Sequence, residues 1–493
     1  MQKDDTSLSR NLGLLGLMAT GVCSMIGASI YVIPFMIQRN VPGIGPFVLP
    51  AFLLASIPAI FAAISYAALS TAMPRAGGSY LYASRSLNPY LGFIASFSQW
   101  FGLSVVIGVI SYVVIPFFRD FFFALGWENL AQTLEIGGVR MTLALLILWA
   151  FAAVNMLGIN FYQRTLIPLM ILMFGLGGLV IISGFSFNHA DFNQAISDFQ
   201  IPIIFETSGT FNIWTFMAAS ALLFSSFIGF DAIAQAGGEA KNPTKNLPRA
   251  IWLAIIVVGT FYFVFTLAVY HAVPWEFVAS EAQNKDLTAA SLLSYLLPNW
   301  LSAVILFGAG IALLNDLPAM ILSVSRLVFS WSEDGIFPEF ISRINPKTKA
   351  PVRAIILSTS VSTIGILGSH FAGDFFLGID IMVTAMLVNF LFMCLSLLFL
   401  PKTNPELAEK QTIIKGKSAR ALVGSIGSLF LICFLLIHTF KDLSSETTHW
   451  YFHSTYVYGI VISLASLTFY FRWRNLKKND LDLRNKFKTL PEH

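Results

Sequence analysis

The chain has 493 residues, 56% of them hydrophobic and only 11% charged, with a mean hydropathy of +0.73 and a formal net charge of +4. So little charge cannot cover the surface of a water-soluble protein of this size, and the composition places the chain in a lipid bilayer. Cys23, Cys394 and Cys433 all lie in apolar runs, which argues against a disulfide framework and against a Cys-based metal site.

Apolar runs of about 20 residues can cross the hydrocarbon core. In chain order they fall near 12–37, 46–72, 89–116, 141–158, 165–186, 213–236, 250–272, 296–330, 354–369, 375–400, 421–440 and 451–471. The first is too long for a signal-peptide core and lacks an A-x-A cleavage pattern, so it reads as retained. The longest connections are about 185–212, 273–295 and 401–420, and the outer two suit short surface helices. With the N-terminus inside, 25 of the 30 Lys and Arg residues fall on the inner side. The positive-inside rule then predicts a multi-pass protein of the cell membrane with both termini in the cytoplasm.

Two segments hold residues that suit a helix poorly. The first has Gly21, Gly27, Ala28 and Ser29 at mid-depth; the sixth has Ser225, Ser226 and Gly229 there, with Gly237 and Gly238 near its inner end. Each glycine costs about 1 kcal/mol relative to alanine inside a helix. One such place is compatible with close helix–helix packing. Two, five spans apart, imply more. Five is odd, so the sixth segment enters from the side opposite to the first. Matching breaks in two such halves point to inverted-topology repeats. These are 12–186 and 213–400, followed by two extra helices at 421–471, all within a single domain, 1–493. A broken helix survives in hydrocarbon only where protein or a cavity surrounds it. Its free N–H groups and positive dipole end suit a carboxylate, and free C=O groups suit an ammonium. A zwitterionic amino acid needs both.

Four stretches carry a family resemblance: "GVCSMIGASIYVIP" (21–34), "MPRAGGSYLYASRSLNPYLGF" (73–93), "FIGFDAIAQAGGEAKNPTKNLPRAI" (227–251) and "SRLVFSWSEDGIFP" (325–338). The chain resembles the amino acid–polyamine–organocation transporter superfamily over essentially its whole length. The resemblance implies an all-α integral membrane protein of 12 transmembrane helices. Ten form a 5+5 inverted repeat of the leucine-transporter-like fold, with helices 1 and 6 broken, and two are peripheral. It also implies that N–H groups around Ile26, Gly27, Ala28 and Ser29, with Cys23 bordering them, hold the substrate carboxylate. The carbonyls around Ser225, Ser226 and Ile228 would hold the amino group. Two positions depart from the family pattern. The second glycine of "IGxGIF" is Ser29 here, and Ser225 stands where several relatives carry an aromatic gate, leaving Phe224 or Phe227 to substitute.

Three acids fall within spans: Asp231, Asp316 and Asp380. Intramembrane ionisable groups are costly and mark functional sites by default. Asp231 follows the break in segment six and reads either as an N-cap for the helix beyond it or as a proton site. Asp316 lies mid-membrane beside Pro318, with no capping role, and reads as a coupling residue for a proton or for sodium. Asp380 reads as structural or as a vestibule charge. Arg75, Arg85, Glu239, Arg249, Arg326, Glu333 and Asp334 collect on inner loops, as solvated topology signals or as an inner gate. Gly77-Gly78 and Gly237-Gly238 read as hinges or as helix ends.

No HExxH, G-x-S-x-G or Walker pattern is present. The sequence therefore predicts a secondary active amino acid transporter working by alternating access, as proton-coupled symporter or exchanger, without cofactor, metal or nucleic-acid partner. A polyamine or amino acid/amine antiporter is the alternative; an intramembrane enzyme or a channel is remote.

Overall fold

The structure, a computed structural model, describes residues 7–27, 29–198, 210–372, 375–446, 449–479 and 486–491. Among the described residues twelve helices are long and apolar enough to cross a bilayer. The first six are Leu14–Asn40, Gly45–Ala72, Pro89–Ala124, Gly137–Met156, Ile159–Ser186 and Ile213–Gln235. The second six are Pro243–Ala272, Asn299–Glu333, Val352–Phe371, Leu377–Thr403, Lys417–Ser444 and Ser454–Lys478. No sheet forms among them; two isolated bridges pair Leu12 with Ala240 and Ala76 with Ala236.

Local chemistry sets several ends. Asn88 accepts from the Leu91 N–H at 2.8 Å, with Pro89 in the first turn, so the third span starts on a capped, pre-set turn. Asn212 likewise accepts from the Trp214 N–H at 2.9 Å. The third helix passes Pro116, where the apolar run suggested an end, and continues to Ala124. Packing against neighbouring helices lets a membrane helix absorb the missing N–H. The connections add His189–Asp198, Trp275–Asn284 and Ala289–Leu293 on one side, as expected, and three helices that were not: Gly78–Ser86, Glu128–Glu135 and Pro405–Lys410.

The spans divide into core and rim. In its most apolar stretch the first span is 88% buried, the eighth 78% and the third 72%. The fourth and twelfth are only 17% buried, which leaves their apolar sides to lipid. The first, third, sixth, eighth and tenth spans thus form an inner cluster, with the third packed along the eighth, ninth and tenth. A helix apolar on all sides can sit in either layer; the small and polar residues of the first, sixth and eighth spans suit them to the interior.

Candidate functional site

The first span breaks after Met25. Ile26 leaves the helix at φ −97° and ψ 89°, and the helix resumes at Ser29. Tyr262, from the seventh span, staples the gap. Its hydroxyl donates to the Met25 carbonyl at 3.1 Å and shares a short hydrogen bond with the Ser29 hydroxyl. One buried phenol thus satisfies the last carbonyl of one piece and the first side chain of the next. Tyr270, one helical stretch further on, donates to the Pro34 carbonyl at 2.8 Å.

The sixth span breaks differently. Its helix Ile213–Leu223 tightens into a 3₁₀ turn over Phe224–Phe227, turns extended at Ile228, and recovers only as the short helix Ala232–Gln235. Gly229 has φ +132°, and a Cβ there would sit 2.7 Å from the Met25 nitrogen and collide with the Ser24 carbonyl. Glycine is required twice, by conformation and by contact. The two breaks therefore meet backbone to backbone.

A cavity of about 700 Å³ descends to this meeting point. Ser24, Met25 and Ser29 of the first span, Ser225 and Ile228 of the sixth, and Asp316 of the eighth line its base. Asp316 is 4% exposed, and its Oδ1 has no hydrogen-bond partner among the described residues. The carboxylate lies against Gly27, where a Cβ would stand 2.8 Å from the Asp316 Cγ. The eighth helix runs unbroken through Asp316 and Pro318. At the other end the cavity reaches Arg39, Arg119, Asp120, Arg140 and Asp286, all at span ends or in connections. This is the mouth end of the molecule.

The opposite, tail end is shut. Arg326 holds Glu239 through two contacts, 2.6 and 3.0 Å. Arg85 holds Asp334 through two more, one of them 2.9 Å, and Tyr80 donates to the same carboxylate at 2.6 Å. All four charged side chains are at most 3% exposed. Burial alone would lower the Arg85 guanidinium; the Asp334 carboxylate outweighs it and holds the group above its ordinary value. Of the other charges expected in this cluster, Arg75 donates to the Pro491 carbonyl at 3.1 Å, whereas Arg249 is exposed. Residues near the C-terminus lie on these pairs: Arg85 donates to the Thr489 carbonyl at 3.1 Å and its guanidinium sits 5.2 Å from the Phe487 ring. Gly77 and Gly78 mark a helix end, Gly77 at φ 70° capping the helix that starts at Gly78. A Cβ on Gly78 would stand 2.8 Å from the Ala234 carbonyl, and one on Gly237 would strike the Arg75 carbonyl, so they let the tail-end loop lie flat on the sixth span.

Of the residues expected to form the site, Ser29, Ser225, Ile228 and Asp316 line the cavity. Cys23, Ile26, Gly27, Phe224, Ser226 and Phe227 are buried and off its wall, and Ala28 lies outside the described residues. Neither expected gate ring faces the cavity: Phe224 packs on Phe390 and Phe434, and Phe227 on Phe52. Asp231 also lies elsewhere. It is fully buried, accepts from the Gly229 N–H at 3.0 Å and from the Gln99 amide, and makes no cap bond to the helix that follows it. Gln99 in turn takes Gln235 at 3.1 Å, which reaches Ser79 at 2.6 Å. A fully paired network of this kind ties elements together. Sequence reasoning missed Tyr262 and Ser24; a tyrosine in the middle of an apolar helix was the one available signal.

Twelve helices around a cavity that is closed at one end by buried ion pairs, with two broken helices at its base, define a membrane transporter. The sequence profile of the amino acid permease family matches residues 12–462, and the chain belongs to that family. It is similar to the branched-chain amino acid permease BcaP of Bacillus subtilis, with 26% identity over 70% of this chain and 72% of that one. It is 25% identical to the vacuolar cationic amino acid transporter 4 of Arabidopsis thaliana, over 74% of this chain and 58% of that one. It is also 25% identical to the methylthioribose transporter of Bacillus subtilis, over 82% and 84% of the two chains. The protein is a multi-pass membrane transporter of amino acids.

Proposed function

We propose that this protein is a secondary active transporter that carries an amino acid together with a proton, by alternating access around the paired helix breaks. The observation that carries the reading is the Asp316 carboxylate, whose Oδ1 has no partner among the described residues, set against Gly27 at the base of a cavity open at one end and sealed at the other. The substrate carboxylate takes the N–H groups at the first break beyond Ile26, whose own N–H is held by the Val22 carbonyl at 2.8 Å, namely those around Gly27, Ala28 and Ser29, and the ammonium takes the carbonyls around Ser225, Ser226 and Ile228. A substrate carboxylate at Gly27 would meet Asp316 as a like charge in a low-dielectric site. A proton on Asp316 removes that repulsion and supplies a hydrogen-bond donor. Substrate and proton then bind as a pair, which is the requirement for symport. Asp231, paired and off the cavity, holds the sixth span in shape.

The excess of Lys and Arg supports a cytoplasmic tail end and a mouth that faces outward in the cell membrane. The Arg326–Glu239 and Arg85–Asp334 pairs then form the inner gate, which must part for release.

Uptake into liposomes under an imposed pH gradient tests the coupling, run beside exchange in the same preparation with and without sodium. Asp316→Asn keeps the shape and loses the titratable group. It is expected to lose gradient-driven accumulation and to retain exchange. Full accumulation by Asp316→Asn sinks the assignment; dependence on sodium instead of on the pH gradient changes the ion.

A further inference from the structure

The relatives named above differ in what their names say they carry, so the side chain this protein accepts has to be read from its own cavity. The cavity has two chemically distinct levels above its polar base. Along the third span Val106, Ile110, Val113 and Phe117 recur at intervals of four, three and four, which is one helix face, and all four line the cavity. Leu313 and Met320 flank Asp316 on the cavity face of the eighth span, and Ile379 and Met382 close the wall from the tenth. At this middle level the wall is aliphatic and thioether carbon with one aromatic ring, Phe117. The charged lining residues other than Asp316 are Arg39, Arg119, Asp120, Arg140 and Asp286. Arg119 lies 13 residues beyond Val106 on one continuous helix, about 20 Å along its axis at 1.5 Å per residue. Arg39 lies ten residues beyond Ser29, about 15 Å by the same rise.

These mouth charges are also engaged. Arg39 pairs with Asp286 at 2.7 Å, Arg119 with Asp120 at 2.7 Å, and Arg140 sits 3.9 Å above the Tyr112 ring. A side chain rising from the breaks therefore meets carbon first and does not reach a charge. An ammonium or carboxylate placed at the middle level would be desolvated without a partner, which is strongly unfavourable. Asp316 offers no escape for a cationic side chain, since it stands at Gly27, where the substrate's own α-groups sit. An apolar side chain gains from the same wall, and the flexible methionines Met320 and Met382 adjust to branched or linear shapes.

We propose that the cavity selects amino acids with a neutral aliphatic or thioether side chain, and that Val106, Ile110, Met320 and Met382 make that selection. The proposal rests on the reading of the breaks as the site for the substrate's α-groups. Ile110 is the position that most directly tests it, being mid-wall on the third span and 6% exposed. A methylene in a hydrophobic pocket discriminates by roughly tenfold or more. Ile110→Ala is therefore expected to weaken leucine by at least about tenfold relative to alanine.

The experiment is counterflow in liposomes loaded with leucine, with competitors added outside to the full-length protein. Leucine, isoleucine, valine and methionine are expected to compete, and lysine, arginine, glutamate and putrescine are not. Ile110→Ala is then compared with wild type for leucine and alanine, with Ile110→Val as the milder variant should Ile110→Ala fail to fold. Its leucine-to-alanine preference is expected to fall between the two. Lysine or putrescine competing as well as leucine overturns the proposal while leaving transport in place. Loss of leucine and alanine in equal measure shows that the wall acts on the fold and not on selection, and overturns the residue assignment. Absence of counterflow with every amino acid removes the transport reading itself.

Discussion

The two ends of the molecule use the same residue types to opposite effect. At the tail end Arg326–Glu239 and Arg85–Asp334 are two-contact pairs with every side chain at most 3% exposed. At the mouth Arg39–Asp286 is a single contact with side chains 32% and 82% exposed, and Arg119–Asp120 has 34% and 44%. An exposed pair is worth about 0–1 kcal/mol, because water and salt screen it and two long side chains must be held still. A buried pair gains little net stability over apolar packing, yet removing one partner costs about 3–5 kcal/mol, since the other charge is left desolvated. The tail end is thus held by contacts that are expensive to break singly, and the mouth by contacts that yield easily. In the alternating-access reading proposed above, the two tail-end pairs would have to part together and become hydrated when that end opens.

The largest effect is expected where that contrast is sharpest. Arg326→Ala should destabilise the protein by about 3–5 kcal/mol, read by denaturant or thermal unfolding in detergent, and should leave the tail end open to a membrane-impermeant thiol reagent directed at a cysteine placed there. Exchanging the charges, Arg326→Glu with Glu239→Arg, should recover most of the loss. A loss under about 1 kcal/mol would put this pair in the class of the mouth pairs and end the comparison.

Gly27→Val comes next, at the floor between the two ends. Its side chain would enter the space of the Asp316 carboxylate, an overpacking of about 1–3 kcal/mol. The expected protein inserts in the membrane but shows little uptake. Normal uptake with unchanged apparent affinity would remove Gly27 from the site.

Arg39→Ala should do least. The expected change in stability is at most about 1 kcal/mol, shrinking further as salt is added. A destabilisation of several kcal/mol would show that the mouth is clamped as firmly as the tail end.

Much of this is legible in the sequence. The twelve spans follow from hydropathy because an apolar run of bilayer length has one stable solution, a helix. Their ends shifted by as many as eight residues, as from 116 to Ala124, because packing and not hydropathy sets the last turns. The two breaks were legible as paired clusters of small residues. The role of Asp231 was not, because its partners Gln99 and Gln235 are distant in sequence and only the fold brings them together. For the same reason Phe224 and Phe227 could be named as gate candidates but not oriented.

The sequence by itself determined that this chain is a twelve-helix membrane protein with weak points in its first and sixth helices and acids at Asp231 and Asp316. These are properties of composition and of local backbone preference, and they need no neighbour. Tertiary structure decided which acid faces a cavity, which tyrosine closes the first break, and which of the tail-end charges pair. Each of those depends on desolvation and on distances of about 3 Å between helices far apart in the chain, where a shift of one residue around a helix turns a side chain by roughly 100° and gives it different partners.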